Sequence, residues 1–396
     1  MTRRPLLFYC QHSLGLGHLA RSWAAADALS SLFRVTLFCG GPPPSGLAPP
    51  GSCDIVSLPP IVVNEDGRLV SLDSRYSVEA AFDVRRDIML RRLATTQPAA
   101  VVVELFPFGR RKFERELLPL LEATQVASPR PVVACSLRDI LVARGDDQRA
   151  HDERARVLAD RYFDAVLVHA DPAFARLDEF FRPLQPMRTP VHYTGFVVSR
   201  KTPRGTCGPN GILVSAGGGR FAGSLFVTAI DAHRRLMQAA PLTIVAGPLC
   251  EESTWQHLVA AARSHPSIRL RRTVTDLSCE MAASRLSISQ CGYNTALDLV
   301  RARVPALVVP FAERGETEQT DRARRLEALG ALRVLTVDRL NAATLAAAIE
   351  ETLEFHPAPI ALDLDGANRT TDLLNALACA REPAGDLHMA GHEHLA

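Results

Sequence analysis

The stretch RLSISQCGYNTALDLVRARVPALVVPFAERGETEQTDRARRLEALGA, residues 285–331, decides the fold. Residues 286–289 are a short apolar run, Gln290, Cys291 and Gly292 break it, and a helical pattern follows, with Asn294 and Thr295 where a helix takes a capping side chain. Residues 305–311 predict a buried strand whose end releases a polar loop carrying Glu313, Arg314, Glu316, Glu318 and Gln319, then another helix. A helix N-terminus at the carboxyl end of a strand attracts phosphate, because its unpaired N–H groups point outward and the macrodipole is positive there. Asp298, one turn inside that helix, is placed to accept hydrogen bonds from a ribose diol, and the polar loop suits recognition of hydroxyl groups.

Outward from this segment, short β-branched or leucine-rich runs alternate with helical patterns, the mark of parallel sheets covered by helices on both faces. Strands are expected at 6–10, 34–39, 100–105, 131–135, 165–169 and 191–196, and again at 212–215, 242–246, 268–271, 286–289, 305–310 and 332–337. Between the two series, SRKTPRGTCGPNG at 199–211 has no periodicity and reads as a linker. The expected organisation is two Rossmann-like α/β domains facing across a cleft, the first at 1–198 and the second at 212–380, with a disordered tail at 381–396. A chain of 396 residues exceeds what one core usually supports, which agrees.

Lys plus Arg is 45 against 43 for Asp plus Glu, a balance that argues against a dedicated nucleic-acid protein. The nine cysteines form no CxxC pair, so neither a zinc cluster nor a disulfide framework is signalled, and a cytoplasmic setting is expected. The first apolar run, residues 5–10, is too short for a signal peptide, and no later segment approaches the roughly 20 apolar residues of a membrane span. VRRDIMLRRL at 84–93 and FPFGRRKF at 106–113 combine arginines with bulky apolar groups, and together would make a patch for peripheral contact with the inner face of a membrane.

Two glycine-rich turns stand at matching places in the halves. HSLGLGHLAR at 12–21 follows the first strand, and its Gly15 and Gly17 let backbone approach a ligand closely. It lacks the third glycine and the acidic partner of a dinucleotide fingerprint. His18 sits at the helix start, where it either deprotonates an acceptor hydroxyl or merely caps and packs; Arg21 either holds a phosphate or solvates the helix. SAGGGR at 215–220 follows the first strand of the second half, and Ser215, Gly217, Gly218, Gly219 and Arg220 are suited to wrapping a diphosphate.

GYNT at 292–295, Glu318 and Gln319 followed by Arg322 and Ala323, and SLRDIL at 136–141 resemble the signatures of a bacterial group of predicted glycosyltransferases. That group is related to the inverting, lipid-II-forming N-acetylglucosaminyltransferase, in the family 28-like branch of the GT-B superfamily. The resemblance implies a hexosyltransferase that needs no cofactor or metal and uses a nucleotide sugar, UDP-linked by preference, as co-substrate. It implies that Asp298, usually Glu in such enzymes, holds the ribose, that Glu318 and Gln319 contact the donor sugar, and that Gly292, Asn294 and Thr295 lie at the donor. Val274 falls where relatives rest the donor base, and a histidine at the place of His18 belongs to the active site. Relatives carry serine at the position of Ala216 and lack Arg220.

Loss of the nucleoside diphosphate would be stabilised by the loop amides and Arg220, with His18 as first choice of base and Glu104 or Asp139 as second. Arg138, with Glu104 and Asp139, follows a strand of the first half and suits the acceptor site or domain closure. The acceptor itself, whether lipid carrier, polysaccharide or small molecule, is not legible. Other readings stay open: LGLGHLAR also resembles a turn in the nucleotide-sugar hydrolase of pseudaminic acid synthesis, a sugar-nucleotide epimerase shares the architecture, and a non-catalytic binding protein would have the same loops. Asp363 and Asp365 in LDLDG read as a turn, and His388, His392 and His394 as part of the tail.

Overall fold

A computed structural model describes residues 3–12, 16–42, 49–64, 66–143, 147–199, 211–219, 222–236, 240–312 and 317–381. The N-terminal part contributes strands β1 (Arg4–Cys10), β2 (Phe33–Cys39), β3 (Asp54–Ser57), β4 (Ile61–Val63), β5 (Leu69–Ser71), β6 (Ala100–Glu104), β7 (Val132–Arg138), β8 (Ala165–His169) and β9 (Val191–Tyr193). Its helices are α1 (Gly17–Leu29), α2 (Val78–Thr96), α3 (Glu114–Val126), α4 (Gln148–Tyr162) and the single turn α5 (Leu177–Phe180). The C-terminal part has β10 (Ile212–Ser215), β11 (Leu242–Val245), β12 (Ile268–Arg271), β13 (Leu286–Ser289), β14 (Ala306–Val308) and β15 (Arg333–Val334). Between and after them run α6 (Gly223–His233), α7 (Glu252–Ala262), α8 (Leu277–Ala283), α9 (Tyr293–Ala302), α10 (Glu318–Ala328), α11 (Ala342–Leu353) and α12 (Gly366–Arg381).

The strands form two parallel sheets, ordered β3-β2-β1-β6-β7-β8-β9 and β12-β11-β10-β13-β14-β15, with β4 and β5 as a separate antiparallel hairpin. Both sheets reverse direction beside their first strand, the arrangement that opens a ligand crevice beyond the strands' carboxyl ends. Continuous apolar runs build the central strands because both faces are covered: AVVVE of β6 and AVLVH of β8 are buried along their whole length. Alternate residues of β1 serve opposite cores, Leu6, Phe8 and Cys10 facing α1 and Leu7 and Tyr9 facing the α2–α4 side. The four-residue edge strand β3 is not expected from the sequence, because DIVS is short and polar at both ends.

The last helix departs from the expected organisation. The sequence places residues 366–380 with the C-terminal domain, yet Ala367, Leu374 and Ala378 of α12 join a core of the N-terminal one, where the helix packs against α1 and β7. The chain is strapped back at the crossing point: Phe196 N–H donates to Asp363 O at 2.7 Å, and Gly366 N–H to Phe196 O at 3.1 Å. Asp363 is held by Arg369 and Asp365 by Asn368, so the LDLDG carboxylates serve this strap. A Cβ on Gly195, φ 82°, would lie 2.6 Å from the Asp363 carboxyl, so the strap needs glycine there.

Much of the apolar part of the expected patch is interior: Phe106, Phe108, Phe113 and Met89 are core residues, while Val84, Ile88 and Leu90 of α2 are half-buried. Arg85 is wholly buried, its guanidinium on Glu116 at 2.6 and 2.7 Å and on the carbonyls of Gly40 and Pro59. Among the described residues, no helix is long and apolar enough to cross a membrane.

Candidate active site

The carboxyl ends of β1 and β6 bring His18 and Glu104 together. Glu104 is fully buried, and its Oε1 lies 2.6 Å from His18 Nδ1 and 2.5 Å from Arg21 Nη2. Burial alone would raise the Glu104 pKa, but His18, Arg110 and Arg21 override it and hold the carboxyl well below its ordinary range. Burial also pulls the His18 pKa down to about 3, against the opposing charge of Glu104 and with help from Arg110 and Arg138. The pair is therefore a neutral imidazole beside an anionic carboxylate. That assigns the proton to Nδ1, which donates to Glu104, and leaves Nε2 with its lone pair and no partner among the described residues. Arg21 is buried, so it neither solvates α1 nor presents itself for phosphate: it neutralises Glu104 and stacks 5.4 Å from the Tyr293 ring centroid.

In the other domain, the glycine turn follows β10. Gly217 and Gly219 take φ of 53° and 87°, and a Cβ on Gly219 would fall 1.8 Å from Ala246 O, so no other residue fits. Gly219 N–H donates to Ala216 O at 2.8 Å and closes the turn. This amide is consequently spent, and a bound anion would be met by Gly217, Gly218 and the first turn of α9. The loop approaches the other domain, since a Cβ on Gly218 would lie 3.9 Å from Leu16 N; within its own domain, one on Gly217 would lie 4.0 Å from Thr295 Oγ1. Ser215 is buried at the end of β10 with its hydroxyl unpaired. Gly15 and Arg220 lie outside the described residues.

Helix α9 begins two residues earlier than a cap at Asn294 would place it. Gly292 is the N-cap, with φ −65° and ψ 158°, and neither Asn294 nor Thr295 caps. Asn294 Nδ2 instead donates to Gly17 O at 3.0 Å, joining the starts of α9 and α1. Open space faces Gly292. Asp298, half-buried one turn on, has Arg301 Nη1 at 4.0 Å, and Asp276, the N-cap of α8, is close enough to act on its charge. Burial raises the Asp298 pKa to about 7, Asp276 adding to the effect and Arg301 opposing it. Val274 lies half-buried in the preceding loop.

Asp139 departs from its expected role. Its two oxygens accept from Arg322 Nε and Nη2, both at 2.8 Å, while Arg322 Nη1 donates to Cys291 O at 2.9 Å. Both side chains are buried, so this carboxylate is a clamp between domains and has no lone pair facing substrate. Glu318 pairs with Arg138 of the opposite domain rather than standing free for a sugar, and burial, with Arg322 and Arg21, draws the Arg138 pKa down to about 9. Gln319 Oε1 accepts from Cys291 N–H at 3.0 Å and Phe311 N–H at 3.1 Å, tying together the ends of β13 and β14.

Three residues, Tyr293, Arg322 and Arg110, carry more than the sequence suggested. Tyr293 OH donates to His169 O at 3.0 Å and accepts from Val197 N–H at 2.9 Å, with its ring 5.8 Å from Phe196. Arg322 and Tyr293 lie inside the quoted signatures but depend on partners more than 100 residues away, His169 at 124 and Asp139 at 183. Arg110 belongs to the segment read as a surface patch and instead reaches Glu104 Oε2 at 3.5 Å.

Residues 218–372 match the Glycosyltransferase family 28 C-terminal domain. Over the whole chain the fold is that of MurG from Acinetobacter baumannii, at 14% identity with 94% of this chain and 99% of that one covered and a TM-score of 0.57. A calicheamicin glycosyltransferase is similar at 15% identity, covering 97% and 100%, TM-score 0.58. So is a UDP-GlcNAc 2-epimerase from Methanocaldococcus jannaschii, at 12% identity, covering 94% and 99%, TM-score 0.57. No curated protein sequence matches the chain.

Proposed function

We propose, from the premise that this chain is a GT-B protein whose C-terminal half carries a family 28 glycosyltransferase domain, that it moves a hexose from a nucleotide-diphosphate sugar, UDP-linked by preference, to an acceptor hydroxyl. The observation that carries the reading is the His18–Glu104 pair, set at 2.6 Å where the start of α1 meets the glycine turn after β10 and the first turn of α9. An epimerase or hydrolase needs the nucleotide-binding wall as much as a transferase does. A neutral imidazole, oriented by a carboxylate and open at Nε2, is suited to removing a proton from an incoming hydroxyl.

In the proposed reaction the acceptor oxygen attacks C1 of the sugar, the C1–O bond to phosphate breaks, and the hydroxyl proton passes to His18 Nε2. Glu104 stabilises the imidazolium that forms, while burial, with Arg110 and Arg138, keeps the ring unprotonated beforehand. Negative charge gathers on the leaving diphosphate, where the amides of Gly217 and Gly218 and the N-terminus of α9 offer stabilisation without reorganisation. Asp298 takes the ribose diol and Val274 the base. A single displacement inverts the anomeric configuration. Glu318 and Gln319 would orient the sugar once the diphosphate and Arg138 have settled their contacts.

A turnover screen of purified protein against UDP-, TDP- and GDP-sugars, with and without candidate acceptors and beside an Asp298→Ala control, tests this reading. Acceptor-dependent release of nucleoside diphosphate, lost in the control, is expected. Release of a nucleoside monophosphate without acceptor, or interconversion of the donor sugar, would replace it by the hydrolase or the epimerase.

A further inference from the structure

Four non-glycine residues have positive φ among the described residues. Gln97 and Arg303 are the C-caps of α2 and α9, where a left-handed residue commonly ends a helix. Leu105 and Arg110, with φ of 66° and 60°, have no such excuse: they bracket the loop between β6 and the 3-10 turn Arg111–Phe113. Each such residue costs about 1 kcal/mol or more, and strain of this kind persists only where the surroundings impose it. They do so here. Gly109 N–H donates to Leu105 O at 2.9 Å, a Cβ at Gly109 would meet the Leu105 side chain at 2.7 Å, and Phe106 and Phe108 are anchored in the core.

What this strained loop presents is the Arg110 guanidinium. Its side chain is 17% exposed, its one contact among the described residues is the 3.5 Å approach of Nη2 to Glu104 Oε2, and its Nε is buried without a partner. Arg21 and His18 already share Glu104 Oε1, and the one long contact to Oε2 leaves the other donors of the Arg110 guanidinium without a partner among the described residues. A cation withdrawn this far from water with one long contact is costly unless a ligand completes it. Arg138 repeats the pattern nearby, with a buried, unpartnered Nε and its Nη2 on Glu318. Arg110 contacts only its own domain, whereas the loops suited to the diphosphate belong to the other. We propose that Arg110, assisted by Arg138, reads a carboxylate or phosphate on the acceptor, so that the acceptor is a hydroxylated anion rather than a neutral alcohol. Such a group, held beside Glu104, brings the hydroxyl of the same molecule to His18 Nε2. The inference rests on the transferase reading above.

The test is ligand-detected NMR on the full-length protein, with and without saturating UDP, using matched probes: glycerol 3-phosphate against glycerol, and 4-hydroxybenzoate against its methyl ester. The charged member of each pair is expected to bind about tenfold more tightly, and this preference to fall below about threefold in Arg110→Gln while Arg110→Lys keeps most of it. UDP affinity should be unchanged in both variants. Equal binding of charged and neutral probes, or a preference that survives Arg110→Gln, overturns the proposal. So does a tenfold loss of UDP affinity in Arg110→Gln, which would assign the guanidinium to the donor diphosphate. A protein that binds no nucleoside diphosphate sinks the transferase reading instead, and the probes measured without UDP still decide the anion preference.

Discussion

Glu104 and Asp139 begin from the same position. Each lies at or just beyond the carboxyl end of a central strand, β6 or β7, each is fully buried, and each faces an arginine. Their fates differ by what meets the second oxygen. Both oxygens of Asp139 are taken by the fork of Arg322 at 2.8 Å, a closed bidentate pair that spans the domains. Glu104 places Arg21 and His18 on one oxygen and leaves the other to a single 3.5 Å contact, so its charge is projected through an imidazole towards the cleft. A buried carboxylate becomes a clamp when its partner is a planar fork of fixed charge, and an electrostatic support for chemistry when its partner can gain and lose a proton.

The largest effect should come from the side of the pair that faces the cleft. His18→Gln is expected to lower kcat by about 10³-fold with donor KM little changed, since general-base loss typically costs between about 10² and 10⁴; steady-state release of nucleoside diphosphate measures it. On the clamp side, Asp139→Ala should lower stability by about 3 kcal/mol, near the low end for a broken buried pair because Arg322 keeps Cys291 O and Glu318. Chemical denaturation reads this, and the double variant Asp139→Leu, Arg322→Met should recover most of it, because an apolar pair leaves no charge unpaired. If the double variant is as unstable as the single one, the comparison breaks.

The pH dependence separates the His18–Glu104 pair from Asp298. His18 has a folded pKa of about 3 against an ordinary 6.5, so the unfolded chain binds the extra proton between these values. Its contribution to stability is present above pH 6.5 and is lost as pH falls towards 3, the same direction as the depressed Glu104. Asp298 runs the other way: with its folded pKa near 7 against 3.8, the folded chain binds the extra proton, and stability falls as pH rises through that window. Because an ionised carboxylate is the better acceptor for a diol, UDP affinity should rise several-fold between about pH 6 and pH 8. Titration calorimetry across that range checks it, and Asp298→Asn should remove the rise. The smallest effect belongs to Asn294→Ala, which deletes one hydrogen bond between the domains and should cost about 1 kcal/mol in a thermal melt.

How far the sequence spoke depends on the range of the interaction. The central strands were legible because a strand buried on both faces needs an unbroken apolar run, and the glycine turn after β10 because its φ values admit nothing else. His18 was legible as a candidate from its place after a strand. Its partner Glu104 is 86 residues away and was ranked with Asp139, since nothing local distinguishes two carboxylates that end neighbouring strands. What separates them is Arg322, 183 residues beyond Asp139. The destination of α12 was hidden for the same reason: it rests on the strap at 363–366, whose partner Phe196 lies well over 100 residues earlier in the chain. Arg110 was misread as surface charge because two left-handed residues turn it inward, and no composition rule reports that.

The most direct test of the account sets Glu104→Gln beside Asp139→Asn, measuring kcat per folded molecule and melting temperature for both with the same donor and acceptor. The account predicts a Glu104 variant that binds UDP with at most a modest loss of stability and has a kcat lower by about two to three orders of magnitude. It predicts an Asp139 variant that melts earlier but turns over normally while folded. A full loss of kcat in folded Asp139→Asn, with turnover preserved in Glu104→Gln, would contradict it.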